Sequence, residues 1–103
     1  MTENREPRYV ISIAANILGV KTHTLRYYEK VGIVAPGRSQ GNIRLYSDQD
    51  LALLRRVKTL MEDLGVNLAG VEVVLRLAAQ LSESQQRVAA LEAELEQYRA
   101  EES

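Results

Sequence analysis

The sequence contains no cysteine, which excludes disulfides, thiolate metal sites and thiol redox chemistry. Its single histidine, His23, cannot build a metal site alone. No stretch approaches the roughly 18 apolar residues of a membrane span. The start, Met1 to Arg8, is polar and carries no apolar leader pattern, so the cytoplasm is the expected location. There is no Gly-rich nucleotide-binding loop and no nucleophile–base pair. The expectation is a protein without catalytic activity and without a cofactor.

What is present is a chain of 103 residues, 26% charged and 46% hydrophobic, which suits one small soluble domain with an appended helix. A core of that size gains from oligomerisation. The net charge of −1 hides a division. Lys21 to Lys58 holds eight Lys/Arg against three acids, and Val66 to Ser103 holds three Arg against seven Glu. A basic working surface and an acidic tail fit that asymmetry, and so does plain solvation.

The stretch from Lys21 to Gly32 reads as a short helix with two faces. Thr22 is a candidate N-cap, and Gly32 can end the helix in a left-handed turn. Leu25 and Tyr28 fall on one side with Val31 near them, while His23, Arg26, Tyr27 and Lys30 fall on the other. One face can anchor in a core while the other offers cations and a phenol to a nucleic-acid groove. On these twelve residues alone, an ordinary amphipathic surface helix is the better reading. The flanks decide. Ile11 to Val20 reads as a preceding helix, with Ser12 as N-cap, an apolar set of Ile13, Ile17 and Leu18, and Gly19 as the stop. Two helices joined by a glycine turn make a helix-turn-helix.

Ile33 to Ser47 then reads as a β-hairpin, with Ile43 and Leu45 on one face and Arg44 and Tyr46 on the other. Arg38 stands across the loop. A hairpin with these residues outward suggests a wing on the phosphate backbone, against the alternative of a solvated hairpin. Ser47 and Asp50 have capping-box spacing and open a helix through Leu64, with Leu51, Leu54, Val57, Leu60, Met61 and Leu64 as its buried stripe. Arg55 and Lys58 are minor phosphate candidates. Asn67 is placed to cap a short helix from Leu68 to about Leu77, and that turn could also hold a phosphate as a second wing.

The end of the chain is the most regular part. Val74, Leu81, Val88 and Leu95 recur every seven residues, as do Leu77, Ser84, Leu91 and Tyr98. Four heptads of this kind predict a coiled coil with a second copy. Arg87–Glu92 and Glu94–Arg99 suit a parallel pair; Arg87–Glu101 and Glu92–Arg99 suit an antiparallel one. The sequence therefore divides into a loose arm over residues 1–9, a domain over 10–77 and a coiled-coil dimerisation helix over 78–103.

The order of these pieces, with Leu25-Arg26-Tyr27-Tyr28-Glu29, Gly32-Ile33-Val34-Ala35-Pro36, Arg44-Leu45-Tyr46-Ser47 and Asp50, resembles the MerR family of bacterial transcription regulators over residues 9 to about 77. Tyr9 to Ala15, Thr24-Leu25-Arg26 and Gly65 to Val71 are similar to its HspR-like heat-shock repressors. The resemblance implies a mostly α fold, a winged helix-turn-helix followed by a coiled coil, forming a homodimer with an antiparallel seam on inverted-repeat double-stranded DNA. It implies DNA contacts from Arg26 and Tyr27 on the helix and Arg44 and Tyr46 on the wing, with Arg38 a weaker match because loop length varies there. It further implies the DnaK chaperone as a possible co-repressor. The candidate DNA-binding set is Thr22, His23, Arg26, Tyr27, Lys30, Arg38, Arg44, Tyr46 and Asn67. The candidate seam is Leu77, Leu81, Val88, Leu91, Leu95 and Tyr98. Rival readings are another effector-less regulator of the family, such as a nitrogen-control repressor, and a coiled-coil adaptor whose helix-turn-helix no longer binds DNA.

Overall fold

The computed structural model describes residues 5–102. Residues 1–4 of the expected arm and Ser103 of the expected coiled-coil helix lie outside the described residues. The chain divides into two compact units, Met1–Asn67 and Leu68–Ser103.

The first unit is built on two short helices, α1 (Ile11–Leu18) and α2 (Thr22–Lys30), that stop by the same device. Gly19 has φ 71° and Gly32 has φ 88°. The Val20 N–H donates to the Ala15 carbonyl at 3.0 Å, and the Ile33 N–H to the Tyr28 carbonyl at 2.9 Å. With Gly19 bonded to Asn16 and Gly32 to Glu29, each end is a Schellman turn that satisfies the last free carbonyls. The starts differ from expectation. Ser12 and Thr22 lie inside their helices, and the cap positions are Val10 and Lys21, both extended and without a side-chain cap bond. The strand before α1 and the tight turn before α2 dictate where helical geometry begins.

α1 also turns a different face inward. Ala14, Ala15 and Leu18 are buried, whereas Ile13 and Ile17 are exposed. α1 packs on α2, on the sheet and on the third helix, and alanines at those contacts let the backbones approach closely.

The sheet has three antiparallel strands in the order β1 (Tyr9–Val10), β3 (Arg44–Tyr46), β2 (Gly37–Arg38). Tyr9 pairs with Tyr46, and Arg38 pairs with Arg44. The hairpin loop closes through Ser39 N–H to the Ile43 carbonyl at 2.9 Å, with Asn42 at φ 62°, a conformation asparagine tolerates. Order therefore reaches further back than the predicted arm. The Arg8 N–H donates to the Tyr46 carbonyl at 3.0 Å, and the Tyr9 hydroxyl donates to Asp48 Oδ1 at 2.8 Å.

Helix α3 (Asp48–Lys58) opens on the predicted capping box: the Asp50 N–H donates to Ser47 Oγ at 3.0 Å and the Ser47 N–H to Asp50 Oδ2 at 2.9 Å. Leu51, Leu54 and Val57 are buried as expected. The stripe then leaves the core. Thr59–Asp63 is a π-helical turn, wider than an α turn, so each later side chain is rotated off the stripe. Leu60 and Met61 are half-buried and Leu64 is 67% exposed. The core gathers Ala14, Ala15, Leu18, Leu25, Val34, Tyr46, Leu51 and Leu54.

The second unit is one helix, α4 (Leu68–Glu102), of 35 residues and about 52 Å. The expected break near Leu77 does not occur. The sequence Leu77-Ala78-Ala79-Gln80-Leu81 contains neither glycine nor proline, and strong helix formers carry the turn through.

Candidate nucleic-acid interface

α2 is held by Leu25, which is fully buried, and by Tyr28, whose hydroxyl lies 3.5 Å from Met61 Sδ. Burial pushes the Tyr28 phenol up from its ordinary pKa, with Glu62 and Tyr27 adding to the shift. This anchoring turns His23, Arg26, Tyr27 and Lys30 to solvent, at i, i+3, i+4 and i+7, a single stripe on one helix face. Among the described residues, none of the side chains of Lys21, His23, Arg26 and Lys30 makes a hydrogen bond or ion pair. Thr22 is half-buried at the start of this helix.

The three acids in the basic stretch are all engaged. Asp50 is the capping-box acceptor. Asp48 takes Tyr9 and Arg8, the latter at 3.1 Å. Glu29 accepts from Arg44 Nε at 2.5 Å on Oε1 and from Arg38 Nη2 at 2.7 Å on Oε2. The Arg44 hydrogen bond, followed by the charges of Arg44 and Arg38, holds the Glu29 carboxyl below the usual carboxylate range despite some desolvation. The same bond raises the Arg44 guanidinium pKa. The wing arginines are thus clasped to the helix and half-exposed at its margin.

Tyr46 requires a correction. Its side chain is 0% exposed, so it is not available to DNA. Arg44 and Tyr46 do share a face of β3, but that face lies beneath the helices. β3 is the central strand of a three-stranded sheet rather than one arm of a free hairpin. Tyr46 sits in the covered part, Arg44 at the edge, and Ile43 in the exposed turn. Desolvation raises the Tyr46 pKa, and its hydroxyl has no hydrogen-bond partner among the described residues.

Asn67 is exposed at the end of the first unit. Lys58, a minor phosphate candidate, is otherwise occupied: its Nζ donates to the Leu18 carbonyl at 2.9 Å, capping α1. Arg55 remains exposed. Glu29, which accepts from both wing arginines, is a residue that the sequence reading did not single out. The available signal was an acid lodged between exposed cations on a helix of a basic stretch.

On α4, Leu77, Leu81, Val88, Leu91, Leu95 and Tyr98 are each between 50% and 60% exposed. They form an apolar stripe at heptad spacing without cover in a single chain. No helix among the described residues is long and apolar enough to cross a membrane.

Comparison with known proteins agrees with this geometry. The family of MerR HTH regulatory proteins matches residues 9–78. The chain is 46% identical over 90 residues to the heat shock protein HspR of Streptomyces coelicolor, covering 87% of this chain and 60% of that protein. It is 35% identical over 86 residues to the transcriptional regulator GlnR of Bacillus anthracis, covering 82% of this chain and 66% of that one. It thus spans about three fifths to two thirds of these relatives' lengths. Among solved structures it is similar to HiNmlR, a MerR family regulator lacking the sensor domain, bound to promoter DNA. The TM-score is 0.63 and the identity 27%, over 87% of this chain and 76% of that chain.

Proposed function

The chain belongs to the MerR HTH family of regulatory proteins, and from that premise we propose that it is a DNA-binding transcriptional repressor of heat-shock genes. In this reading it works in the bacterial cytoplasm as a homodimer on an inverted-repeat operator. The observation that carries DNA binding is the outward stripe of His23, Arg26, Tyr27 and Lys30 on a helix whose other face is locked into the core; the side chains of His23, Arg26 and Lys30 make no hydrogen bond or ion pair among the described residues. A relative of similar fold bound to promoter DNA supports the same use.

In this mechanism α2 lies in the major groove. Arg26 and His23 are the candidates for base edges, where a bidentate contact discriminates by about 1–3 kcal/mol. Tyr27, Lys30, Thr22 and Asn67 lie along the backbone. Arg38 and Arg44 present the guanidinium donors that Glu29 leaves unused to phosphates beside the groove. Those contacts add affinity without sequence preference and make binding fall with salt. The heptad stripe on α4 pairs two copies, so the dimer carries two recognition helices, a symmetry that an inverted repeat mirrors. Similarity to HspR supports heat-shock genes as the targets over the reading drawn from GlnR. The DnaK chaperone is the proposed co-repressor, titrated away when unfolded protein accumulates. No catalytic step is involved.

The test is binding to a duplex carrying the inverted repeat of HspR-like repressors against a scrambled duplex, at fixed physiological salt, with and without DnaK. Preference for the repeat that DnaK strengthens is the expected result. Preference indifferent to DnaK removes the co-repressor, and equal binding to both duplexes removes the heat-shock assignment.

A further inference from the structure

Glu29 is an acid on the helix that faces DNA in this reading, where a bare carboxylate would repel phosphate. Its surroundings resolve the conflict. Its two oxygens are divided between two strands, Oε2 to Arg38 of β2 and Oε1 to Arg44 of β3, and these two arginines stand opposite each other in the ladder. One carboxylate therefore ties both strands of the wing to α2. A guanidinium has five N–H donors. Each arginine gives one to Glu29 and keeps four, at side-chain exposures of 38% for Arg38 and 30% for Arg44, with Glu29 itself at 23%. Two guanidiniums around one carboxylate still leave an excess positive charge at this spot.

We propose that Glu29 is a positioning residue for DNA binding: it orders Arg38 and Arg44 before DNA arrives, so that their remaining donors face the phosphate backbone. The proposal rests on the reading that the wing arginines meet the backbone. Its consequence runs against simple electrostatics. Glu29→Gln removes a negative charge from a DNA-facing surface, and charge alone predicts tighter binding. Positioning predicts weaker binding, because two long side chains must then be immobilised during association. That loss is about tenfold in affinity, the scale of ordering two such side chains.

The experiment measures affinity for a scrambled duplex, where phosphate contacts dominate, at several salt concentrations. The chains compared are the native one, Glu29→Gln, the double variant Arg38→Ala with Arg44→Ala, and the triple combination. The expected result is that Glu29→Gln weakens binding in the native background. In the double-alanine background, with nothing left to position, it should leave affinity unchanged or raise it. Weakening in both backgrounds would mean a general structural role and overturn the proposal, as would tighter or unchanged binding in the native background. If the double variant binds as well as the native chain, the wing reading itself fails, and the proposal with it; the same holds if the native chain does not bind. Should Glu29→Gln fail to fold, the native chain still provides a test. Without DNA, its Arg44 Nε–H should exchange slowly with solvent by NMR, and free exchange would overturn the proposal.

Discussion

Gly19 and Gly32 share one backbone conformation but different surroundings, so replacing each with alanine separates two costs. Both sit at positive φ, 71° and 88°, where an L side chain is disfavoured by about 1–2 kcal/mol. Alanine recovers about 0.4–1 kcal/mol of that by restricting the unfolded chain. Gly32→Ala, whose added Cβ meets nothing within 4 Å, should therefore destabilise the first unit by about 1 kcal/mol. At Gly19 the Cβ would stand 3.2 Å from Lys58 Nζ, the atom that caps the Leu18 carbonyl. The lysine must yield a few tenths of an ångström, and its bond to α1 weakens. Part of a charged hydrogen bond is lost, about 0.5–1 kcal/mol more. The total difference amounts to several degrees in melting temperature. Urea unfolding at one fixed protein concentration, followed by tyrosine fluorescence in a Tyr98→Phe background, measures both. In a Lys58→Met background the excess cost of Gly19→Ala should vanish and the two alanine variants should match. Equal costs in the native background, or an excess that survives Lys58→Met, would refute the proposed contact between the turn and α3.

Three further outcomes follow from particular groups. Tyr46→Phe removes a buried hydroxyl with no hydrogen-bond partner among the described residues, so stability should be unchanged or rise by up to about 1 kcal/mol; a clear loss in the same unfolding assay would show a bond to that oxygen. Leu91→Asp places a charge in the heptad stripe and should leave monomers by sedimentation that bind half-sites weakly, whereas a dimeric variant would move the dimer interface elsewhere. Finally, the Glu29 pKa is lowered by its arginines. Its folded pKa lies below the unfolded one, so its contribution is present above the unfolded value and is lost as pH falls through the folded value. An acid titration of stability below about pH 4.3 should therefore be flatter for Glu29→Gln than for the native chain, and parallel curves would contradict the ion pairs.

Local rules were the most legible part of this sequence. Gly19 and Gly32 stop their helices as the turn chemistry requires, and Ser47 with Asp50 closes the box that their spacing announces. Periodicity showed which residues share a face without showing which face is covered. Arg44 and Tyr46 do lie together, yet only the pairing of β3 with Tyr9–Val10 makes β3 a central strand and buries Tyr46. That pairing spans more than thirty residues and leaves no local mark. The same limit explains α1, where tertiary packing chose Ala14 and Ala15 over Ile13 and Ile17. It also explains the fate of Leu64, displaced by a π-turn that no residue type in Thr59–Asp63 signals. On α2 the faces follow the periodicity, because Leu25 and Tyr28 turn inward and the cations stand opposite. Glu29 went unremarked because its importance lies in two arginines brought to it by the sheet.

The central claim is that α2 reads bases from a major groove. The direct measurement takes an operator selected from a random duplex pool, changes each base pair in turn, and compares the native chain with Arg26→Ala at fixed physiological salt. The account predicts that the variant loses discrimination at one position in each half-site, by about 1–3 kcal/mol, and keeps it elsewhere. A uniform loss across all duplexes would reduce Arg26 to a backbone contact, and a native chain that selects no operator would contradict the recognition-helix account altogether.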